Sequence, residues 1–304
     1  MVAGAACLWG LDGLFRNYIA TTLPASTIVL AEHLLLVLAV SPLLFASFRQ
    51  ARASFDRTDW LMAIAIGAGA SALATIFITT AFSRGDFITP VVLQKLQPLV
   101  AILGARVLLG ERLHERFWIY AGAALVFAWL LAFADPLDVH VRSLRTASFA
   151  IAAAVLWGAG TVFGRRLSQK VDFKALTTLR FTFGLPASAL AVIVMGSRIF
   201  PPAKEMDAVA ATALVSGLIA MMLYYRGMHT TPAAVATLAE LTFPVTAAFV
   251  GVIFLNQSLS KTQWIGGVGL TATVALLSWQ SSHSTKAVGV EDPSGARTYA
   301  LATT

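Results

Sequence analysis

Four ionisable side chains interrupt long apolar stretches of the sequence, and they are its best candidates for chemistry. They are Glu32, Lys95, Arg180 and Glu240. A charge in lipid is costly, so residues of this kind usually face a partner or a water-filled cavity. We expect them either to act in substrate contact, gating or coupling, or to form static buried pairs that hold helices together.

Glu240 shares a helix face with other residues suited to binding. Thr237, Glu240 and Pro244 recur at three- and four-residue steps, so they lie on one face. Gln94 and Pro98 occupy the corresponding face of an earlier segment. Each proline frees the carbonyl four residues before it, although such kinks are often structural only. We predict a central cavity lined by Gln94, Gln97, Thr237 and Glu240, with Trp9, Trp157 and Tyr224 nearby.

The composition excludes a soluble globule as the setting for these residues. Of the 304 residues, 58% are hydrophobic and 12% are charged, against about 45–50% and about 25% in soluble domains. The net charge of +7 comes from basic residues that cluster in short loops, which indicates membrane topology rather than nucleic-acid binding. The single cysteine, Cys7, excludes an intrachain disulfide. The scattered histidines predict neither a metal site nor a cofactor.

The apolar segments predict an all-α integral membrane protein, because about 20 apolar residues suffice for one spanning helix. Lys and Arg are more frequent on the side of the 49–57 and 165–174 loops, so we expect both termini in the cytoplasm and the protein in the cytoplasmic (inner) membrane. Residues 283–304 are polar and predict a disordered cytoplasmic tail. The ten predicted spans are 2–20, 26–48, 58–82, 87–109, 114–134, 144–166, 173–195, 206–228, 232–254 and 261–281.

The sequence also repeats itself. Trp9-Gly10 recurs as Trp157-Gly158, 148 positions later, and Pro98 recurs as Pro244, 146 positions later. The repetition predicts two halves of five helices, at 1–135 and 143–282. An odd number of spans inverts the second half relative to the first. Two inverted halves around a midplane site are typical of transporters that work by alternating access.

One segment resembles the end of a known transporter repeat. The residues that carry the resemblance run from Leu96-Gln97-Pro98 through Leu109-Gly110-Glu111-Arg112-Leu113 to Trp118 and Gly122. Trp9-Gly10 and Trp157-Gly158 resemble the start of the repeat. Residues 3–281 thus resemble the EamA branch of the drug/metabolite transporter superfamily, although Asn256-Gln257-Ser258 replaces Gly-Glu-Arg in the second half. The resemblance implies ten helices and transport of a small metabolite, often export of an amino acid or similar compound.

Other functions remain as alternatives. A channel-like or structural membrane subunit is compatible with the repeats. An intramembrane lipid enzyme would need a His–acid pair or a GxSxG nucleophile turn, and the sequence contains neither, so we expect no catalytic residues. It also lacks a Walker A motif, so an ion or substrate gradient would drive transport. Gly160 and Gly164 form a GxxxG pair that predicts close packing, either within the fold or in a homodimer.

The depths of the four charges predict two gates. With a rise of about 1.5 Å per residue, Glu32 and Lys95 lie toward the outer face, and Arg180 and Glu240 lie toward the inner face. We expect Glu32 to pair with Lys95 when the outer side is closed, and Arg180 to pair with Glu240 when the inner side is closed. The alternative is that the pairs never form, because span order does not place these helices side by side.

Overall fold

The apolar segments are helical in the computed structural model, which describes residues 1–82, 88–139, 144–254 and 256–287. No β-strand occurs in those ranges. A helix satisfies its own backbone hydrogen bonds, as lipid requires. In chain order the helices are α1 (Val2–Gly10 and Asp12–Ala20), α2 (Ala25–Ser54), α3 (Arg57–Phe82), α4 (Ile88–Gln94 and Leu96–Leu108), α5 (Glu115–Ala132), α6 (Leu144–Ser168), α7 (Phe173–Met195), α8 (Ala203–Met228), α9 (Ala233–Phe254) and α10 (Lys261–Ala287).

Eight helices in the described ranges, α2 to α9, are long and apolar enough to cross a membrane. The multi-pass, all-helical class is therefore confirmed, and the count of ten spans stays a prediction. The first predicted span is divided by a turn at Leu11. The last helix continues to Ala287, into the region predicted to be a disordered tail, and the rest of that tail, 288–304, lies outside the described residues.

The outward faces of the helices are apolar. Leu103 is 64% exposed, Ile193 is 73% exposed and Val268 is 67% exposed. A water-soluble protein rarely presents an apolar surface of this extent, whereas lipid tails cover it without cost. The buried side is rich in alanine, with Ala124 and Ala128 both nearly inaccessible, so helices can approach closely.

Two helices break at matching positions of the two halves. In α4 the helix Ile88–Gln94 ends at a turn at Lys95, and Leu96–Leu108 follows. In α9 the helix Ala233–Glu240 ends at a turn at Leu241, and Thr242–Phe254 follows. Pro98 and Pro244 come three residues after these turns, where they cannot donate to the carbonyls of Gln94 and Glu240.

Two other helices contain π-helical segments, called wide turns below, at matching positions of the two halves. Ala65–Leu73 in α3 and Ala213–Ile219 in α8 are π-helical, and their first residues are 148 positions apart. A π-helical segment replaces the usual hydrogen bonds to the fourth residue by bonds to the fifth, and such segments are frequent at functional sites. The wide turns thus indicate that α3 and α8 contribute to a functional site.

The Trp-Gly pairs lie where helices of one half cross helices of the other. Gly10 packs against Thr246 in the second part of α9, and an added Cβ would overlap that side chain. Gly158 packs against the second part of α4, where an added Cβ would come within 2.8 Å of Val100 Cβ. Small residues permit such close crossings, which explains why glycine follows tryptophan in both copies.

Candidate functional site

Glu240 is the centre of a buried hydrogen-bond cluster. Its Oε1 accepts hydrogen bonds from the Tyr224 hydroxyl at 2.7 Å and the Thr161 hydroxyl at 3.1 Å. Its Oε2 accepts a hydrogen bond from Gln97 Nε2 at 2.7 Å. The donors come from α8, α6 and α4, so the carboxylate joins helices from both halves of the chain. A buried carboxylate needs such donors to replace the water that it has lost.

The helix breaks explain how this cluster forms. Glu240 is the last residue of the first part of α9, and Gln97 lies in the first turn after the break in α4. Gln94 is half-buried at the end of the first part of α4, and its side chain has no hydrogen bond to any described residue. Thr237 lies one turn before Glu240, fully buried, with no partner for its hydroxyl in the described part of the chain.

Arg180 forms a second buried group beside the first. Its Nη1 donates to the Tyr225 hydroxyl at 3.1 Å, and its Nη2 donates to the carbonyl of Ala70 at 3.3 Å. Trp157 Nε1 donates to the same carbonyl at 3.0 Å. Ala70 belongs to the wide turn of α3, so this turn fixes both the guanidinium and the indole.

Trp9 makes the equivalent contact in the other half. Its Nε1 donates to the carbonyl of Ser216 at 3.1 Å, and Ser216 belongs to the wide turn of α8. Each tryptophan therefore binds the wide turn of the opposite half. The Trp9 ring also lies beside the Tyr224 ring, with a distance of 5.2 Å between their centroids. The structure thus brings Gln97, Glu240, Trp9 and Tyr224 together.

Neither predicted gate pair is formed in this structure. Glu32 accepts a hydrogen bond from Arg16 Nη2 at 2.7 Å rather than pairing with Lys95, and Arg16 also pairs with Asp12. Lys95, half-buried at the break in α4, has no acidic partner among the described residues. The helix Asp12–Ala20 places Arg16 against Glu32 of α2.

Arg180 and Glu240 lie near each other but form no salt bridge within 4 Å in the described part of the chain. Their contacts are instead joined through two adjacent tyrosines, because Tyr224 donates to Glu240 and Tyr225 accepts from Arg180. The pairing of these charges in another conformation stays a prediction.

Sequence reasoning missed Thr161 as a member of the site. Thr161 lies one helical turn after Trp157, so the spacing of the two residues could have placed both on one face. Gly160 and Gly164, on the same helix, pack inside the fold. An added Cβ at Gly160 would come within 2.7 Å of Ala70 Cβ, and one at Gly164 within 2.9 Å of Tyr225 Cε1.

A second contact between the two halves lies at one end of the bundle, between the loop after α4 and the start of α9. Glu111 accepts hydrogen bonds from the backbone N–H groups of Ala233 and Ala234, at 2.7 Å and 3.1 Å. A carboxylate at a helix N-terminus satisfies free N–H groups and suits the helix dipole. Glu111 belongs to the Gly110-Glu111-Arg112 motif, so the structure gives that motif a role, namely capping of α9.

A charge cluster lies beside the start of α3. Asp59 accepts a hydrogen bond from Arg166 Nε at 3.0 Å and also pairs with Lys170. Asp59 and Asp56 form a reciprocal capping box that begins α3. The end of α6, with Arg166, and the residue Lys170 just after it are thus held to the start of α3, which links the two halves at this point.

The helical fold and the buried polar site inside it define a multi-pass membrane protein, and the family match identifies it as a transporter rather than an enzyme. The chain belongs to the EamA-like transporter family, which matches residues 1–133 and 144–279. It is 28% identical over 293 residues to a protein named riboflavin transporter ImpX from Fusobacterium nucleatum, a match that covers 91% of this chain and 96% of the relative. Both observations support transport of a small molecule across a lipid bilayer.

Two further comparisons agree, one with the transporter class and the other with the fold alone. The chain is 26% identical to a protein named uncharacterized transporter YwfM from Bacillus subtilis, over 86% of this chain and 87% of the relative. A solved crystal structure shares the fold with a TM-score of 0.71 and 20% identity, over 93% of this chain and 96% of the other.

Proposed function

We propose that the protein is a secondary transporter that moves a small metabolite across the cytoplasmic membrane by alternating access. In this proposal ten spans form two inverted halves of five helices, joined near 135–141. The matched helix breaks, the matched wide turns and the reciprocal tryptophan contacts support it. Such paired features allow two similar halves to rock around a shared site.

The observation that carries the proposal is the buried Glu240 carboxylate, which is bound from both halves at a helix break. A break frees backbone groups and lets a helix bend, so side chains at this point can change partners. The substrate would enter beside Glu240 and replace donors such as Gln97. Gln94 and Thr237, whose side chains have no hydrogen-bond partner among the described residues, offer further polar contacts.

The rings of Trp9 and Tyr224 favour a substrate with an aromatic body. Riboflavin is the first compound to test, because a relative matched over most of its length is named for riboflavin. Aromatic amino acids are the second, since amino acids are frequent substrates in the family that the sequence resembles. We propose export as the direction, on the basis of the same resemblance.

Counterflow in proteoliposomes tests the proposal. Vesicles loaded with unlabelled riboflavin or phenylalanine should transiently accumulate the labelled compound, and uptake should saturate. Vesicles without protein supply the control. Flux that rises linearly with concentration, with no counterflow, would instead indicate a channel.

A further inference from the structure

We propose that Arg180 binds an acceptor oxygen of the substrate, a carbonyl or a carboxylate attached to its aromatic body. This inference rests on the proposed function, because it assigns one part of the same substrate. It gives Arg180 a role in specificity beside the role in gating that the sequence predicts.

The first support is an unused donor. Arg180 is 9% exposed, and its Nε–H is buried without an acceptor among the described residues. Its two other bonds go to neutral oxygens, those of Tyr225 and Ala70. A buried donor without a partner is destabilising, and more so when it is charged, and a ligand oxygen at Nε would remove that cost.

The second support is a charge without an ion-pair partner. No acidic oxygen lies within 4 Å of the Arg180 guanidinium in the described part of the chain. A cation inside a membrane usually pairs with an acid or faces a polar cavity. An anionic or strongly polar oxygen from the substrate would supply what the protein does not.

The third support is the rigid position of the guanidinium. The wide turn of α3 holds Nη2 through the carbonyl of Ala70, which Trp157 also binds. Tyr225 holds Nη1, and close packing against Gly164 restricts its ring. A planar guanidinium fixed by two of its nitrogens presents the third in one direction, which is the arrangement required for selective recognition.

The two charges lie at opposite ends of an aromatic pair. Tyr224 and Tyr225 have ring centroids 5.4 Å apart, and they contact Glu240 and Arg180 respectively. A matching substrate would carry an N–H donor for Glu240, an acceptor oxygen for Arg180, and an aromatic body for Trp9 and Tyr224. Flavin rings, with N–H beside carbonyl groups, and aromatic amino acids both meet this description.

Arg165 provides a matched control inside the same protein. It is also buried, at 7% exposed, but its Nη1 donates to the carbonyls of Met228 and His229. Arg165 therefore serves a structural role at the end of α6. Replacement of Arg165 reports what the loss of a buried arginine does to stability alone.

The experiment compares Arg180→Gln, Arg180→Lys and Arg165→Lys in proteoliposome uptake. The probes are riboflavin, phenylalanine and phenethylamine, which lacks the carboxylate of phenylalanine. We expect Arg180→Gln to raise KM about 10–100-fold for a transported probe with an acceptor oxygen, since bonds to charged groups contribute about 1.5–3 kcal/mol and about 1.4 kcal/mol is tenfold. Arg180→Lys should recover part of the loss, and Arg165→Lys should leave KM unchanged.

Phenethylamine separates recognition from general damage. If it is transported, its KM should be insensitive to Arg180→Gln. An unchanged KM for riboflavin and phenylalanine in folded Arg180→Gln protein would overturn this inference alone, as would an equal loss for phenethylamine. If Arg180→Gln does not fold, Arg180→Lys still decides, because a displaced ammonium should raise KM while Arg165→Lys does not. Wild-type protein that transports none of the probes would overturn the proposed aromatic substrate class, and this inference with it.

Discussion

At the scale of single residues, Glu240 shows how a buried charge can be stabilised by the protein and still be free to bind a ligand. Three neutral donors share the carboxylate, and none of the three is an ion. Neutral partners can be exchanged for a ligand without leaving an opposite charge behind, whereas breaking a buried ion pair is strongly destabilising. The site therefore suits repeated cycles of binding and release.

Replacement of Glu240 by glutamine should lower kcat/KM for counterflow at least tenfold. A neutral amide accepts weaker hydrogen bonds than a carboxylate and turns one NH₂ group toward neighbouring donors. Glu115→Gln is the matched control, because Glu115 is exposed at the start of α5. Wild-type counterflow by Glu240→Gln at every pH between about 5 and 8 would restrict Glu240 to a structural role.

At the scale of helices, the tryptophan contacts depend on one N–H group each. Trp9→Phe and Trp157→Phe should each destabilise the protein by about 1–2 kcal/mol, because each substitution removes one hydrogen bond from an indole N–H to a wide-turn carbonyl. Thermal unfolding in detergent measures the change. Trp118→Phe provides the control, since Trp118 is 48% exposed. Equal shifts for all three variants would show that ring size matters and the hydrogen bond does not.

The helix crossings give a second prediction at this scale. Gly158→Ala should destabilise the protein by about 1–3 kcal/mol, because the new methyl group would press on Val100 and on the carbonyl of Gln97,. Gly122→Ala should be tolerated, since nothing lies within 4 Å of an added Cβ there. Thermal unfolding of the two variants side by side tests the crossing, and equal melting temperatures would contradict it.

The sequence predicted the helices better than their partners. Apolar length alone places α2 to α9, and the spacing of Thr237 and Glu240 correctly identified a helix with a polar face. The pairing of Glu32 with Lys95 was expected from equal depth, but depth along the membrane normal does not specify which helices are neighbours. Arg16 lies on α1, which packs against α2, and only the three-dimensional fold shows that contact.

The wide turns were also beyond the sequence interpretation. Ala65–Leu73 consists of small and aliphatic residues that would suit an ordinary helix equally well. In the fold, the carbonyl of Ala70 in this segment accepts hydrogen bonds from partners elsewhere in the chain, namely the indole of Trp157 and the guanidinium of Arg180. Tertiary contacts of this kind override local preference.

At the scale of the whole molecule, the proposed topology has a direct test. Single cysteines at Ser54 and Asp138, in a Cys7→Ser background, should be labelled from opposite sides of the membrane. Ser54 ends α2 and Asp138 follows α5, and three spans separate the two positions. The measurement is labelling of intact cells by an impermeant maleimide before and after permeabilisation. Labelling of both positions from the same side would contradict the topology.

The reciprocal contacts of Trp9-Gly10 and Trp157-Gly158 constrain how the two halves of the sequence can evolve. Each half contributes one Trp-Gly pair, and the glycine of that pair packs against a helix of the other half. Thr246 and Val100 are therefore matched in size to glycines that lie far from them in the sequence. A larger residue at Gly158 would need compensation at Val100, 58 positions away in the chain, and one at Gly10 would need compensation at Thr246, 236 positions away. Recombination that joined halves from two divergent relatives would separate these matched residues, so the halves should diverge as a coordinated pair.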